Sequence, residues 1–478
     1  MQVALDPEHF WRTARATRMS VIVDADDYFT KARSAMLKAK QRIMLVGWDF
    51  DARIELVGDG RLPDEPATVG SFIYWLAERN PELEIFLLRW DVGALKTFLR
   101  ASNITTIAKW MRHPRIHTKL DSFHPAGASH HQKIVVIDDC IAFCGGIDMT
   151  SERWDTRDHR DDEPRRKTPS GKAYTPWHDA TTALQGPTAA ALGELARKRW
   201  TRAGGHALDP VPGESDCWPD GLQSDFHDVE VGIARTRPEM PECREVREIE
   251  ALFVAQIAAA KHSIYAESQY FASRRIAEAI AARLAEPDCP EIVIVNPLTA
   301  QGWLEPVAMD TARARLVAAL KQRDPQDRLR MYHPFTAEGT AIYVHAKVMI
   351  VDGQTLRIGS ANMNNRSMGL DTECDVTIDP GADGAAVIAS IRDGLIAEHL
   401  GLPVEHVARE IEAHGSIIAT IEALRGPGRS LRPYEIPDLS TVEKWLADNE
   451  VLDPESPSEM FEVTAKKGLF RRLRHPWG

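Results

Sequence analysis

Cysteine is scarce, with 6 in a chain of 478 residues, at positions 140, 144, 217, 243, 289 and 374. So thin a supply excludes a disulfide framework of the kind that staples small secreted domains. Cys140 and Cys144 stand close together, but no second pair follows at ligand spacing, so buried thiols are expected there rather than a zinc site. Cationic charge is also in short supply. Lys and Arg total 58 against 70 Asp and Glu, a net charge of −12. General nucleic-acid binding needs clustered cations on phosphate, and this balance argues against it. No apolar run reaches the roughly 18 residues of a membrane-crossing helix. The opening MQVALDPEHFWRTARATRMS lacks a basic start followed by an apolar stretch, so no secretory signal is expected. These absences point to a cytoplasmic or peripheral membrane protein, with signal-independent export left open. With 44% hydrophobic and 27% charged residues, the chain has ordinary globular composition and a length suited to two or three domains.

The chain repeats itself. Segment 131–148 reads HQKIVVIDDCIAFCGGID and segment 345–362 reads HAKVMIVDGQTLRIGSAN, aligned without a gap at an offset of 214 (345 − 131). The repeat pairs His131 with His345, Lys133 with Lys347, Asp138 with Asp352 and Gly145 with Gly359. Upstream, 35–51 parallels 255–272, each a helical approach followed by a short apolar strand ending in aromatics. Segments 83–91 and 291–298 both read as buried strands. Alternating helix and strand predicts an α/β fold of two similar lobes, each a mixed sheet flanked by helices. The first lobe covers 1–205, a linker or loop 206–225, the second lobe 226–400, and a helical extension with a polar tail 401–478. A second irregular stretch, 157–176, is long and charged, which suggests a functional or mobile loop.

Within each repeat, the Asp-Gly pair at 352–353 and the Asp-Asp pair at 138–139 read as hairpin turns. Residues two apart on a strand share a face, so His345 and Lys347 project together, as do His131 and Lys133. Asp138 and Asp352 fall in the turns and are expected to order them or to form ion pairs. An imidazole beside an ammonium suits a phosphate: lysine supplies charge, and histidine works as nucleophile, base or acid near neutrality. Ser360 and Asn362 are expected to donate to phosphate oxygens. Asp148, the counterpart of Asn362, cannot donate when ionised. Two matched histidines make a complementary pair, one attacking phosphorus and the other protonating the leaving oxygen.

HxKxxxxD followed by G-[GS]-x-[ND], twice in one chain, resembles the phospholipase D superfamily. HHQKIVVID…GGIDMTSERWDT (130–156), PWHDA (176–180), ESQYF (267–271) and IYVHAKVMIVD…IGSANMNNRSMGLDTE (342–373) resemble its eukaryotic-type members, over roughly residues 20 to 400. The resemblance implies two α/β lobes related by a pseudo-two-fold, with both motifs meeting at the interface. It implies a phosphodiesterase working through a phosphohistidine, with no cofactor required for the chemistry. Whether calcium stimulates is not written in these motifs. The catalytic set it implies is His131, Lys133, Asp138, His345, Lys347 and Asp352, with His131 as nucleophile and His345 as acid, then base. That chemistry asks for a neutral His131 and a protonated His345. Lys133, Lys347 and Asn362 would hold phosphoryl oxygens.

Family members also orient each catalytic histidine with a carboxylate. Glu373 matches that position in the second half. In the first half Asp155 and Asp158 are candidates, and His159 stands at the equivalent spacing. Trp48, Trp177 and Trp200 read as pocket-lining or core aromatics, and His130 and His178 as structural or substrate-side histidines. The end, AKKGLFRRLRHPWG (465–478), interleaves cations with apolar residues and reads as a membrane-surface anchor or a solvated tail. The expected partners are a phospholipid membrane surface and a water or alcohol acceptor, and two motifs per chain let a monomer complete the site. The leading expectation is hydrolysis of phosphatidylcholine or phosphatidylethanolamine to phosphatidic acid, with transfer to alcohols. A cardiolipin synthase-like phosphatidyltransferase, a nuclease and a membrane-binding pseudo-enzyme are the alternatives.

Overall fold

A computed structural model of the 478-residue chain describes residues 6–56, 62–90, 101–212, 216–301 and 309–437. The tail anchor at 465–478 lies outside the described residues.

The first half contributes β1 (Arg12–Val23), β2 (Arg42–Gly47), β3 (Glu84–Trp90), β4 (Ile116–Asp121), β5 (Ile134–Ile137), β6 (Ile141–Gly145), β7 (Trp177–His178) and β8 (Ala180–Gln185). The second contributes β9 (Phe226–Arg237), β10 (Val246–Arg247), β11 (Ser263–Glu267), β12 (Glu291–Val295), β13 (Leu329–Phe335), β14 (Tyr343–Val344), β15 (Val348–Val351), β16 (Thr355–Gly359) and β17 (Glu373–Ile378). A last strand, β18 (Ser430–Pro433), follows the helices Ala382–Leu400, Val404–His414 and Ile417–Leu424. Among the described residues after 400, two helices are followed by an edge strand added to β13.

The order across the sheet is β18-β13-β12-β11-β15-β16-β17-β9-β1-β8-β6-β5-β2-β3-β4. Read outward from the β9–β1 pair, the two halves mirror each other: β17 answers β8, β16 answers β6, β15 answers β5, and β11, β12 and β13 answer β2, β3 and β4. The lobes thus join edge to edge into one mixed sheet. β2, β3 and β4 are parallel neighbours, as are β11, β12 and β13, while the motif hairpins β5–β6 and β15–β16 run antiparallel.

The strands are apolar on both faces because both faces are covered. Along β2, Met44 and Val46 pack into one core while Ile43 and Leu45 pack into another. Along β15, Val348 and Ile350 share the first core, and Met349 and Val351 enter a third. The shared core is closed by the helices Pro187–Arg202 and Ala382–Leu400, so one apolar layer runs beneath both lobes. The 206–225 stretch is irregular but not loose: Val211, Cys217 and Trp218 are buried against the first lobe. Cys140, Cys144, Cys217, Cys289 and Cys374 are buried free thiols, and Cys243 is half-buried.

The turns close as the sequence suggests. Asp138 and Asp139 have φ of 49° and 48°, and Asp352 and Gly353 have 54° and 64°, the paired left-handed conformation of a tight hairpin. Asp138 accepts from the backbone N–H of Lys40, Gln41 and Arg42 at 2.7, 2.9 and 2.6 Å. Asp352 accepts from Lys261, His262 and Ser263 at 2.9, 2.7 and 2.9 Å. Each carboxylate pins its hairpin to the start of the neighbouring antiparallel strand, β2 or β11.

Candidate active site

Two short parallel pairings bring the motifs together. β7 pairs with β14, setting Trp177 beside Tyr343 and His178 beside Val344. On the other side of the pseudo-two-fold, His130 bridges Thr372 in parallel. His345 N–H donates to the His178 carbonyl at 2.7 Å, and His131 N–H donates to the Thr372 carbonyl at 2.9 Å. One residue further along each pairing stands a carboxylate, Asp179 or Glu373.

Those carboxylates are exchanged between the lobes. His131 Nδ1 lies 3.0 Å from both Glu373 oxygens. His345 Nδ1 lies 2.6 Å from Asp179 Oδ2. Glu373 therefore orients the histidine of the first half, and Asp179 the histidine of the second. Both carboxylates are completely buried. Glu373 is steadied by the hydroxyls of Ser360 and Ser367, at 2.5 and 2.7 Å, and Asp179 by the Ala180 N–H at 2.8 Å. An Nδ1–H donated to a carboxylate leaves the Nε2 lone pair of each ring available. Close packing holds this arrangement. A Cβ on Gly146 would stand 2.1 Å from Asp179 Oδ1, so only glycine fits there.

The lysines complete the constellation. Lys133 donates to the His131 carbonyl at 2.8 Å and pairs with Asp148 Oδ2 at 3.2 Å. Lys347 donates to the His345 carbonyl and reaches Gln269 Oε1 at 3.5 Å. Asn362 Nδ2 shares that Gln269 oxygen at 3.4 Å, while its own Oδ1 has no partner. The halves thus differ: Lys133 faces a carboxylate and Lys347 faces amides.

Burial dominates the electrostatics. It pushes both imidazoles well below the ordinary histidine value, reinforced at His131 by Lys133 and Lys347 and at His345 by Lys347, Arg153 and Lys133. Burial also lowers Lys347 to about 7 and raises Asp179 to about 7 and Glu373 to about 8. The expected difference between a neutral His131 and a protonated His345 is not built into the cleft, because the same burial and the same lysines act on both.

Several expectations change. Asp138 and Asp352 stand at the far ends of their strands, seven residues and on the order of 23 Å from the histidines, and are bound to backbone amides. They are turn staples and do not touch the reacting centre. Ser360 spends its hydroxyl on Glu373 and is fully buried, so it supports the carboxylate rather than a phosphate oxygen. Asp155 does not reach a catalytic ring. It accepts from the Trp177 N–H and Arg166 and contacts His159 Nδ1 at 3.0 Å. Asp158 offers its carbonyl to Arg429. Among the aromatics, Trp200 is core against Phe86, Trp48 stacks on Trp90, and Trp177 stacks on Tyr343 with its ring 5.1 Å from that of His345. His130 and His178 are buried among carboxylates.

Three residues escape the sequence reading. Asp179 lies 48 residues after His131, whereas Glu373 lies 28 after His345; the difference of 20 is the length of the irregular 157–176 stretch. A fixed offset therefore lands on His159. Gln269 stands inside ESQYF, and Arg153 follows the first motif with its guanidinium 4.2 Å over the Trp177 ring.

The comparisons agree with this geometry. A family model described as Phospholipase D matches residues 35–239, and one described as Cardiolipin synthase, PLD-like domain, matches 253–390. Phospholipase D A of Dictyostelium discoideum is 26% identical over 468 residues, covering 80% of this chain and 36% of its own length. Phospholipase D alpha 1 of Carica papaya is 24% identical over 515 residues, covering 77% and 63%. The chain thus spans less than two thirds of these curated relatives. A phosphatidylserine synthase from Haemophilus influenzae shares the fold, with a TM-score of 0.54 at 12% identity over 86% of this chain and 96% of that one. With one family model on each half and a histidine–lysine pair from each half meeting across the pseudo-two-fold, the chain belongs to the phospholipase D superfamily.

Proposed function

We propose that the chain is a phospholipase D, cleaving phosphatidylcholine or phosphatidylethanolamine to phosphatidic acid and the free head group. The exchanged carboxylates carry this reading: each imidazole is held through Nδ1 by the other half, leaving two Nε2 atoms for one phosphodiester. His131 is assigned as nucleophile. Its side chain is 16% exposed against 6% for His345, the more open of the two to incoming phosphorus. Its Nε2 attacks phosphorus, the bond to the head-group oxygen breaks, and His345 gives that oxygen a proton. The negative charge of the bound phosphodiester favours the imidazolium that this step needs. His345 then takes a proton from water, whose oxygen displaces His131 and releases phosphatidic acid. An alcohol in place of water yields the phosphatidyl ester. Lys133, Lys347 and Asn362 are assigned to the phosphoryl oxygens, where a preorganised positive field stabilises the transition state. The catalytic face is assigned to a phospholipid surface. No metal or cofactor is assigned a step.

The test is a product assay on phosphatidylcholine and phosphatidylethanolamine vesicles with and without ethanol. Phosphatidic acid alone, giving way to phosphatidylethanol when ethanol is present, is the expected result. The match to a cardiolipin synthase-like domain favours a second reading, phosphatidyl transfer to a lipid alcohol. Phosphatidylglycerol vesicles address it: cardiolipin formed in preference to phosphatidic acid would select transfer. No product from any of these lipids by a folded chain would refute both.

A further inference from the structure

Behind the catalytic cleft lies a second constellation that the reaction does not use. Asp24, His159, His178 and Glu398 bring one ligating atom each to within 4.8 Å of all the others, and all four residues are buried. They come from distant parts of the chain: the end of β1, the irregular 157–176 stretch, β7 and the helix Ala382–Leu400. We propose that these four side chains form a structural site for a first-row divalent cation, zinc by the chemistry of its donors.

Spacing is the first support. His178 Nδ1 stands 2.8 Å from Glu398 Oε1 and 3.2 Å from Asp24 Oδ1. His159 Nε2 stands 3.1 Å from Glu398 Oε1 and 3.5 Å from Asp24 Oδ2. Zinc bonds of about 2.0–2.1 Å in a tetrahedron set neighbouring donors about 3.3 Å apart. The second support is independent of spacing. Asp24 Oδ2 and His178 Nδ1 are sealed from solvent and have no hydrogen-bond partner. His178 Nδ1 lies within ion-pair distance of both Glu398 and Asp24, so these atoms converge on a common point. A buried polar atom left this way is costly unless something occupies that point.

The outer ring supplies what metal-bound imidazoles need. His159 Nδ1 meets Asp155 Oδ2 at 3.0 Å, and His178 Nε2 meets Glu267 Oε2 at 2.8 Å. Each carboxylate fixes the far ring nitrogen as N–H and turns the near lone pair inward. Glu267 is itself held by Tyr265 at 2.6 Å and His399 at 2.9 Å. A cation would displace the protons that Asp24 and Glu398 favour on His159 and His178, with Arg157 also pairing with Glu398. Two would-be ligands also take backbone conformations that L-residues rarely adopt, with φ of 65° at Asp24 and 43° at His159. The cation has a positioning role. Asp24 Oδ1 accepts from the Asp179 N–H at 3.0 Å, and the His178 carbonyl accepts from the His345 N–H at 2.7 Å. It would tie Glu398 to the segment that aims Asp179 at His345.

The test uses the full chain, stripped with a strong chelator and titrated with Zn2+ alone, read by metal analysis and calorimetry. One Zn2+ per chain with a raised Tm is expected, and the site should be lost in both His159→Gln and Glu398→Gln. Glu267→Gln, acting through the outer ring, should weaken Zn2+ by about 10–100-fold. His131→Asn, which removes the assigned nucleophile, should keep full Zn2+ occupancy, so failure of the phospholipase reading and failure of this one are distinguishable. If the ligand variants do not fold, the wild-type titration decides alone. A folded wild-type chain that takes up no stoichiometric Zn2+, or uptake that survives the ligand substitutions, overturns the site and leaves the cluster as a proton-bridged network.

Discussion

Asp179→Asn removes the carboxylate from the cleft without changing its volume. Asp179 Oδ1 accepts from the Ala180 N–H at 2.8 Å, and Oδ2 faces His345 Nδ1 at 2.6 Å. Asparagine must keep its carbonyl oxygen on the Ala180 amide, so its NH2 group turns towards His345. A donor facing Nδ1 forces the ring into the tautomer that carries its proton on Nε2. That ring cannot take a proton from water, and as a neutral N–H it is a poor acid. A carboxylate-to-amide change in a serine protease triad costs about 10⁴ in kcat through the same wrong tautomer. Carried to His345, a loss of about 10³–10⁴ is predicted, or about 4–5.5 kcal/mol at 1.36 kcal/mol per decade. The assay is steady-state release of choline from phosphatidylcholine vesicles, with Tm as the fold control. A second substrate with a p-nitrophenol leaving group separates the steps, because its departure needs no acid. On it the variant should show a burst and accumulate a phosphatidyl-enzyme on His131. A kcat within tenfold of wild type at unchanged Tm would refute the exchange of carboxylates as the basis of catalysis.

The remaining expectations concern other parts of the same site. Glu373→Gln should slow formation of the covalent intermediate, even with the p-nitrophenyl substrate, because Glu373 orients His131; a variant that still shows the wild-type burst rate would reverse the two histidine roles. Asp138→Ala leaves three backbone N–H groups without their acceptor and should cost about 3 kcal/mol in urea unfolding, while kcat per folded molecule stays within tenfold. In the free enzyme Lys347 is lowered to about 7, so it is an ammonium below that pH and neutral above it. The sign is a fall of kcat/KM as pH rises through about 7; a profile flat from about pH 6 to 9 would count against Lys347 as the phosphate cation. Arg153→Gln removes a cation that bears on both His345 and Lys347, and KM for vesicle substrate should rise about tenfold, read from initial rates against surface concentration.

Much of the site was legible in the linear order. The 214-residue offset aligns His131, Lys133 and Asp138 with His345, Lys347 and Asp352, and the short hairpins follow from local turn chemistry at 138–139 and 352–353. Reading Asp138 and Asp352 as turn residues agrees with their backbone partners, whereas counting them with the catalytic groups does not. Asp179 was hidden because the 157–176 stretch inserts between motif and carboxylate in one half only. Ser360 looked like a phosphate donor because its partner, Glu373, sits on the neighbouring strand β17. β18 was missed because four residues pairing at a sheet edge leave no periodic signal.

By itself, the sequence determined what depends on neighbours along the chain: the apolar strands, the tight turns and the doubling of the motif. Tertiary structure decided what depends on neighbours across the chain. Edge-to-edge joining of β1 and β9 sets the two halves in register, and the short parallel pairings β7–β14 and His130–Thr372 then hand each histidine the other half's carboxylate. Burial at that seam pulls His131 and His345 below the ordinary histidine value, and the same seam gathers Asp24, His159, His178 and Glu398 from four distant segments. The physical reason is range. Strand and turn preferences act over a few residues, whereas desolvation and the exchange of carboxylates arise only once the intervening chain has closed around them.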